Sequence, residues 1–71
     1  MTLSEVEAGR KVRLMSVDAG HGLKSRLVSM GLTPGAELTV VRNARTGPVI
    51  VQVRETRLML GRAMVDKIEV G

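Results

Sequence analysis

The side chains that could do chemistry in this 71-residue sequence are few and scattered. The single histidine, His21, follows Asp18 by three positions, and Glu5 and Glu7 stand two positions apart near the start. The chain has no cysteine, which excludes disulfides and thiolate metal ligands. His21 and Asp18, even with one glutamate added from elsewhere, define no coordination geometry. We therefore predict no metal site, and we interpret His21 as an exposed turn residue.

The same inventory does not indicate an enzyme. Covalent catalysis needs a nucleophile paired with a base, and acid–base catalysis needs groups positioned around a reacting atom. The serines stand at positions 4, 16, 25 and 29, and none of them lies in a recognisable motif. The segment Gly20-His21-Gly22 is rich in glycine but lacks the spacing and the lysine of a phosphate-binding loop. We predict a protein that is not an enzyme and holds no cofactor.

Composition restricts the class of partner. Lys and Arg number 11 against 7 for Asp and Glu, which gives a formal charge of +4 and favours an acidic partner. The chain has no Phe, Tyr or Trp, whereas recognition of single-stranded nucleic acid depends on stacking aromatic rings. We therefore expect no nucleic-acid partner, and a basic nucleic-acid-binding barrel remains an alternative. The start "MTLSEVEAGRK" does not have the pattern of a signal peptide, so we expect a cytoplasmic protein.

Hydrophobic periodicity predicts the first elements. Residues 10–17 alternate with period two, as expected of a half-buried strand. Leu23, Leu27 and Met30 then share one face of a helix over residues 22–30, and we predict that this face is buried as a plug. Gly31 occupies the position of a left-handed helix cap, which would bring Leu32 onto Leu27.

The remaining segments predict turns and strands. Residues 33–36, "TPGA", have the proline and glycine of a type II turn. After this turn we predict a strand at 37–41, a polar hairpin loop at 43–48, a strand at 49–54, a tight connection at 55–56, a short strand at 57–60, an irregular or single-turn piece at 61–66 and a last strand at 67–70.

About five short strands joined by tight turns suit a small barrel that hides its own edges. We predict a single domain over residues 1–71, mainly β (α+β by content), built as an SH3-like barrel with one short helix after the first strand. The N-terminal segment containing Glu5 and Glu7 is interpreted as solvated.

Four segments in this order resemble the FeoA family. The segment "SRLVSMGLTPGAELTVVR" resembles the family's hallmark, a helix that ends in Leu-x-x-Met/Leu-Gly-Leu/Met-x-Pro-Gly and continues into a strand. "LSEVEAGRKVRLMSV" resembles its opening, "TGPVIVQV" its central hairpin arm and "TRLMLGRAMVDKIEV" its closing segment. The chain departs from the pattern at Arg54-Glu55-Thr56, where many members have a glycine, and at Val65, where alanine is frequent.

The resemblance implies an SH3-like domain and a role in iron metabolism. FeoA-like proteins are small cytosolic accessory proteins of ferrous iron uptake that contact FeoB, a membrane transporter with a GTPase domain, and are thought to modulate it. The chain would then approach the membrane only through this partner. Two alternatives stay open: a detached C-terminal domain of an iron- or manganese-dependent repressor, and a weak homodimer.

The surface expected to contact the partner combines a turn with an apolar edge. A sharp turn and an exposed strand can add to a partner's groove or sheet, and basic residues can steer the approach. By contrast, we expect Leu23, Leu27 and Met30 to belong to the core. The predicted partner-binding residues are Pro34, Gly35, Arg57, Leu58, Leu60 and Arg62.

Overall fold

The computed structural model describes residues 1–44 and 46–71, and Arg45 in the predicted hairpin loop lies outside the described residues. A 3₁₀ turn at Leu3–Glu5 precedes the main elements. These are β1 (Lys11–Val17), α1 (His21–Ser29), β2 (Glu37–Arg42), β3 (Val49–Val53), β4 (Thr56–Leu60), α2 (Arg62–Val65) and β5 (Ile68–Val70).

The strands form one antiparallel sheet in the order β4-β3-β2-β1-β5. The register shifts between Leu14 and Ser16 in β1 and between Val40 and Arg42 in β2. Such irregularities increase the twist and bend the strands, which lets a small sheet curl around its own inner face. The predicted mainly β fold with its helix after the first strand is thereby confirmed.

The core is aliphatic and follows the period-two pattern of the strands. The sequence alternates between buried and exposed positions in β2, β3 and β5, which fixes the face that each strand turns inward. The buried residues are Leu3, Val6, Val12, Leu14, Leu27, Leu32, Leu38, Val40, Val49, Val51, Val53, Leu60, Val65, Ile68 and Val70.

Helix α1 contributes one buried side chain where three were predicted. Leu27 is fully buried and Leu23 packs partly against the core, but Met30 is 37% exposed. The prediction for Met30 was wrong because α1 ends at Ser29, so Met30 leaves the helical face with φ −91° and ψ 4°. Leu27 and, in part, Leu23 are therefore the residues of α1 that pack against the core.

The predicted helix stop is confirmed in detail. Gly31 has φ +91°, and its N–H donates to the carbonyl of Val28 at 3.0 Å. The N–H of Leu32 reaches back to the carbonyl of Leu27 at 2.9 Å, which completes a Schellman cap. Leu32 and Leu27 are both buried, so the cap also closes this part of the core.

The N-terminal segment is packed, which corrects its interpretation as solvated. Leu3 and Val6 are fully buried, although Glu5 and Glu7 are exposed. The amide of Asn43 holds this segment by donating to the carbonyls of Ser4 at 3.0 Å and Val6 at 2.7 Å. Two apolar residues in one short turn give too little periodicity to reveal this packing from sequence.

Candidate functional site

An open groove of about 770 Å³ runs along β2, between the turn at residues 33–36 and the end of β3. It brings together three segments that are distant in sequence: the beginning of β1, the turn with β2, and the end of β3. Its lining residues are Lys11, Arg13, Gly31, Thr33, Pro34, Gly35, Ala36, Glu37, Leu38, Thr39, Gln52 and Arg54.

The turn that forms one wall is held rigidly. The N–H of Ala36 donates to the carbonyl of Thr33 at 3.0 Å, and Gly35 has φ +89°, as expected at the third position of a type II turn. Leu14 fixes the turn to β1, since its carbonyl accepts from Gly35 at 2.8 Å and its N–H donates to Ala36 at 2.9 Å. The Nη1 of Arg13 adds a bond to the carbonyl of Gly35 at 2.9 Å. Pro34 and Gly35 are therefore exposed but preorganised.

The groove carries a surplus of positive charge. Glu37 lies 3.6 Å from Arg13 (Oε1 to Nη2) and 3.9 Å from Lys11 (Oε2 to Nζ), and at least half of each side chain is exposed. Ion pairs with this exposure contribute little to stability and exchange readily with other charges. One carboxylate thus faces two cations on this side, and Arg54 adds a third cation from the turn after β3. The arrangement suits an acidic segment of a partner.

The opposite wall is a short row of polar side chains. The Nε2 of Gln52 donates to the carbonyl of Arg54 at 3.1 Å, and the Nε of Arg57 donates to Oε1 of Gln52 at 3.4 Å. Arg54 has φ +57°, the only positive φ of a non-glycine residue within residues 1–44 and 46–71. Two of the six predicted partner-binding residues, Pro34 and Gly35, therefore line the groove, and Arg57 is bonded to the lining residue Gln52.

The other three predicted residues do not share that surface. Leu60 is 1% exposed and belongs to the core, and Leu58 is partly buried on the same inner face. Arg62 is half-buried, and its Nη2 donates to Oδ1 of Asn43 at 2.8 Å. The exposed apolar residue of β4 is Met59, with 71% of its surface accessible. Whether any of these residues contacts a partner stays a prediction, but Leu60 has no surface to offer.

Sequence reasoning missed several groove residues that the fold brings together. Lys11, Arg13, Gln52 and Arg54 were assigned to strand faces or turns, and nothing in their spacing shows that they meet. A stricter use of the period-two rule in β4 would have found Met59, since its neighbours Leu58 and Leu60 point to the other face. These residues lie on one surface because of the order of the strands in the sheet, and that order cannot be read from the sequence.

The residues first considered for metal binding are all exposed. His21 is exposed at the first position of α1, and Asp18 is exposed directly after β1. Among residues 1–44 and 46–71, no three side chains of the His, Cys, Asp or Glu type come together in a way that could hold a metal ion. In the same residues, neither helix is long and apolar enough to span a bilayer.

Five short strands in one antiparallel sheet, with a helix after the first strand, define this molecule as a small SH3-like domain. The family model described as the FeoA domain matches residues 1–71. The Fe(2+) transport protein A of Methanocaldococcus jannaschii is 40% identical over 68 residues, which cover 96% of this chain and 82% of that protein. The chain belongs to the FeoA family, whose members are accessory proteins of ferrous iron transport.

Solved structures agree with this assignment. The crystal structure of an iron uptake regulatory protein (FeoA) is 36% identical, with a TM-score of 0.91, and the match covers 99% of this chain and 93% of that one. FeoA of Stenotrophomonas maltophilia complexed with zinc, described as a prokaryotic SH3 domain protein, is 29% identical with a TM-score of 0.86, covering 100% and 89%. The predicted SH3-like fold and the resemblance are both confirmed.

The fold is also similar to a domain of metal-dependent repressors. A manganese-dependent transcriptional repressor matches 96% of this chain and 39% of its own, with a TM-score of 0.85 and 18% identity. At this identity the likeness shows a shared fold only. The family match therefore favours ferrous iron transport over the repressor alternative.

Proposed function

We propose that this protein is a cytoplasmic accessory subunit of ferrous iron uptake that binds and modulates the transporter FeoB, without catalysing a reaction or holding a metal. Membership of the FeoA family over residues 1–71 carries the proposal. The groove beside Pro34 and Gly35 supports it, because a preorganised surface binds without the cost of ordering a loop.

The charge of the surface supports a protein partner with acidic character. Lys11, Arg13 and Arg54 face one groove with Glu37 as the lining carboxylate. Complementary charge across an interface speeds association and selects partners more than it raises affinity. We therefore expect binding to the cytosolic part of FeoB to weaken as ionic strength rises.

Titration of the protein into the cytosolic domain of FeoB, with and without guanine nucleotide, tests the proposal. Lys11→Glu reverses one charge in the groove and should weaken binding about tenfold, the size expected for a lost charge complementarity of about 1.4 kcal/mol. Lys24→Glu makes the same change on α1, outside the groove, and should leave affinity within about twofold. A protein that shows no binding in any nucleotide state at tens of micromolar would contradict the proposal.

A further inference from the structure

The two edge strands of the sheet, β5 and β4, have different neighbours. The β5 edge is covered by the N-terminal segment: Thr2 bridges to Glu69, and the N–H of Val70 donates to the carbonyl of Met1 at 2.8 Å. The amino group of Met1 also lies 3.3 Å from Oε2 of Glu69. At the other edge, β4 makes no backbone hydrogen bond outside the sheet to any residue that the structure describes.

The geometry of the β3–β4 hairpin identifies which groups are free. Val53 pairs with Thr56 across a two-residue turn, so this first pair exchanges hydrogen bonds and the next pair, Gln52 with Arg57, does not. Continuing the alternation, Leu58 bonds to Val51, whereas Met59 directs its N–H and carbonyl away from β3. The free backbone groups of the edge thus belong to Arg57 and Met59.

The edge has few of the features that discourage pairing, since Arg57 is its one charged residue. Native edge strands are commonly protected by bulges, proline or charged side chains, lysine above all. Here β4 keeps an unbroken register of paired residues with β3, and its sequence "TRLML" has neither proline nor lysine. Met59 adds an apolar side chain that is 71% exposed, directly across from the half-buried Ile50. An extended partner would find open hydrogen-bonding groups and an apolar contact together.

Charge indicates which kind of chain fits this edge. Arg57 is exposed in β4, and the turn before β4 holds the exposed Arg54 and Glu55. Two copies of this chain paired edge to edge would bring like charges together, which disfavours a homodimer here. An extended segment with an acidic side chain opposite Arg57 would instead gain a complementary cross-strand pair.

We propose that β4 binds an extended segment of a partner by strand addition, with an apolar residue opposite Met59 and an acidic residue, two positions along, opposite Arg57. Main-chain bonds to Arg57 and Met59 would supply affinity, and the two side-chain positions would supply specificity. The identity of the partner rests on the proposed function, whereas the chemistry of the segment rests on the edge itself.

A peptide titration tests the chemistry without the transporter. The probe is a nine-residue peptide of threonine and valine with one aspartate two positions from a central leucine, and its control carries lysine in place of aspartate. In ¹H–¹⁵N spectra, the aspartate peptide should shift the amides of β4 and slow hydrogen exchange at Arg57 and Met59. Shifts confined to groove residues such as Lys11, Arg13 and Gly35, or none at millimolar peptide, would overturn the inference. A concentration-dependent dimer that occupies β4 would overturn it as well.

Substitutions in β4 separate the contribution of the main chain to peptide affinity from the contribution of the side chains. Met59→Pro removes an outward N–H without breaking a bond to β3, so it should keep a dispersed folded spectrum yet lose about tenfold in peptide affinity. Met59→Ala keeps the N–H and should therefore lose less peptide affinity than Met59→Pro. Arg57→Glu should reverse the preference, so that the lysine peptide binds more tightly than the aspartate peptide. Equal affinity of Met59→Pro and the wild type would contradict strand addition.

The same variants distinguish this inference from the proposed function. If the wild type binds the cytosolic domain of FeoB and Met59→Pro binds it equally well, strand addition at β4 fails while the proposed function stands. If the wild type binds the peptide but not FeoB in any nucleotide state, the proposed function fails while the edge keeps its specificity.

Discussion

Arg54 is the one described non-glycine residue with a positive φ. Its φ of +57° places an L-residue in the left-handed region, which costs roughly 1–2 kcal/mol. We expect Arg54→Gly to raise the free energy of unfolding by about 0.5–1 kcal/mol in urea denaturation, after the added entropy of the unfolded chain. Glu55→Gly is the control, because Glu55 has no positive φ and should lose stability. If Arg54→Gly were less stable than the wild type, the inferred backbone strain at Arg54 would be contradicted.

Asn43 connects the N-terminal segment to the end of β2. It donates to the carbonyls of Ser4 and Val6 and accepts from Arg62, whose Nε is buried without a partner in the described part of the chain. Asn43→Ala would leave these groups unpaired, and we expect a loss of about 2 kcal/mol in unfolding free energy.

Gln52→Ala is the matched control, since this exposed amide bonds only at the surface. It should cost less than about 0.5 kcal/mol. Hydrogen exchange at Leu3 and Val6 should accelerate in Asn43→Ala and stay unchanged in Gln52→Ala. Equal losses of stability in the two variants would contradict an anchoring role for Asn43.

Glu5 links stability to pH in the N-terminal turn. The pKa of Glu5 lies below its ordinary value of 4.5, because the backbone N–H of Thr2 donates to its carboxylate at 2.9 Å and the Thr2 hydroxyl donates at 3.0 Å. The folded state therefore favours the ionised carboxylate. Its stabilising contribution is present above the ordinary pKa and is lost as pH falls through the lowered value.

We expect the stability difference between wild type and Glu5→Gln to shrink as pH is lowered from about 6 to about 3. Chemical denaturation at several pH values measures this difference. Thr2→Val keeps the backbone donor, which is the larger cause of the lowered pKa, so it should retain most of the pH dependence. If the stability difference between wild type and Glu5→Gln grew as pH fell, the stabilising role of the ionised Glu5 carboxylate would be contradicted.

At the scale of elements, two glycines set the path from α1 to β2. A methyl group at Gly31 would meet Val53 Cγ1 at an ordinary 3.7 Å, and one at Gly35 would meet nothing within 4 Å, so the penalty at both sites comes from positive φ. We expect Gly31→Ala and Gly35→Ala to lower the unfolding free energy by about 1 kcal/mol each.

Gly22→Ala is the control inside α1, where φ is not positive and the added methyl group meets nothing within 4 Å. It should gain up to about 1 kcal/mol from helix propensity. If Gly35→Ala kept full stability but lost FeoB binding, the turn would act mainly as a contact surface.

Elements with strong local signals could be predicted from sequence. Alternation located the strands, and the glycine after Met30 located the helix stop, because each signal depends on neighbours in the chain. The burial of the N-terminal turn was not predicted, because it depends on contacts with Asn43 and Glu69, which are distant in sequence. Met30 was misplaced because one residue of helix length decides which way its side chain points.

At the scale of the whole molecule, only the fold class was accessible beforehand. The groove exists because β1, β2 and β3 lie side by side, which brings Lys11 and Arg54 to one surface although 42 intervening residues separate them. Strand order is a long-range property, and the same alternation would fit several orders. Strand order also decides that β5 has a covered edge and β4 an open one. The groove and the open edge could therefore be described only from the structure.

The exposure of Met59 has a practical consequence, because the chain contains no Trp, Tyr or Phe. The protein is almost invisible in near-ultraviolet absorbance and fluorescence. A tryptophan introduced as Met59→Trp would be the sole emitter, standing at the open edge in contact with water. Its emission should shift to the blue when a strand covers it and stay unchanged when a ligand occupies only the groove. A single spectrum would then report which surface a partner uses.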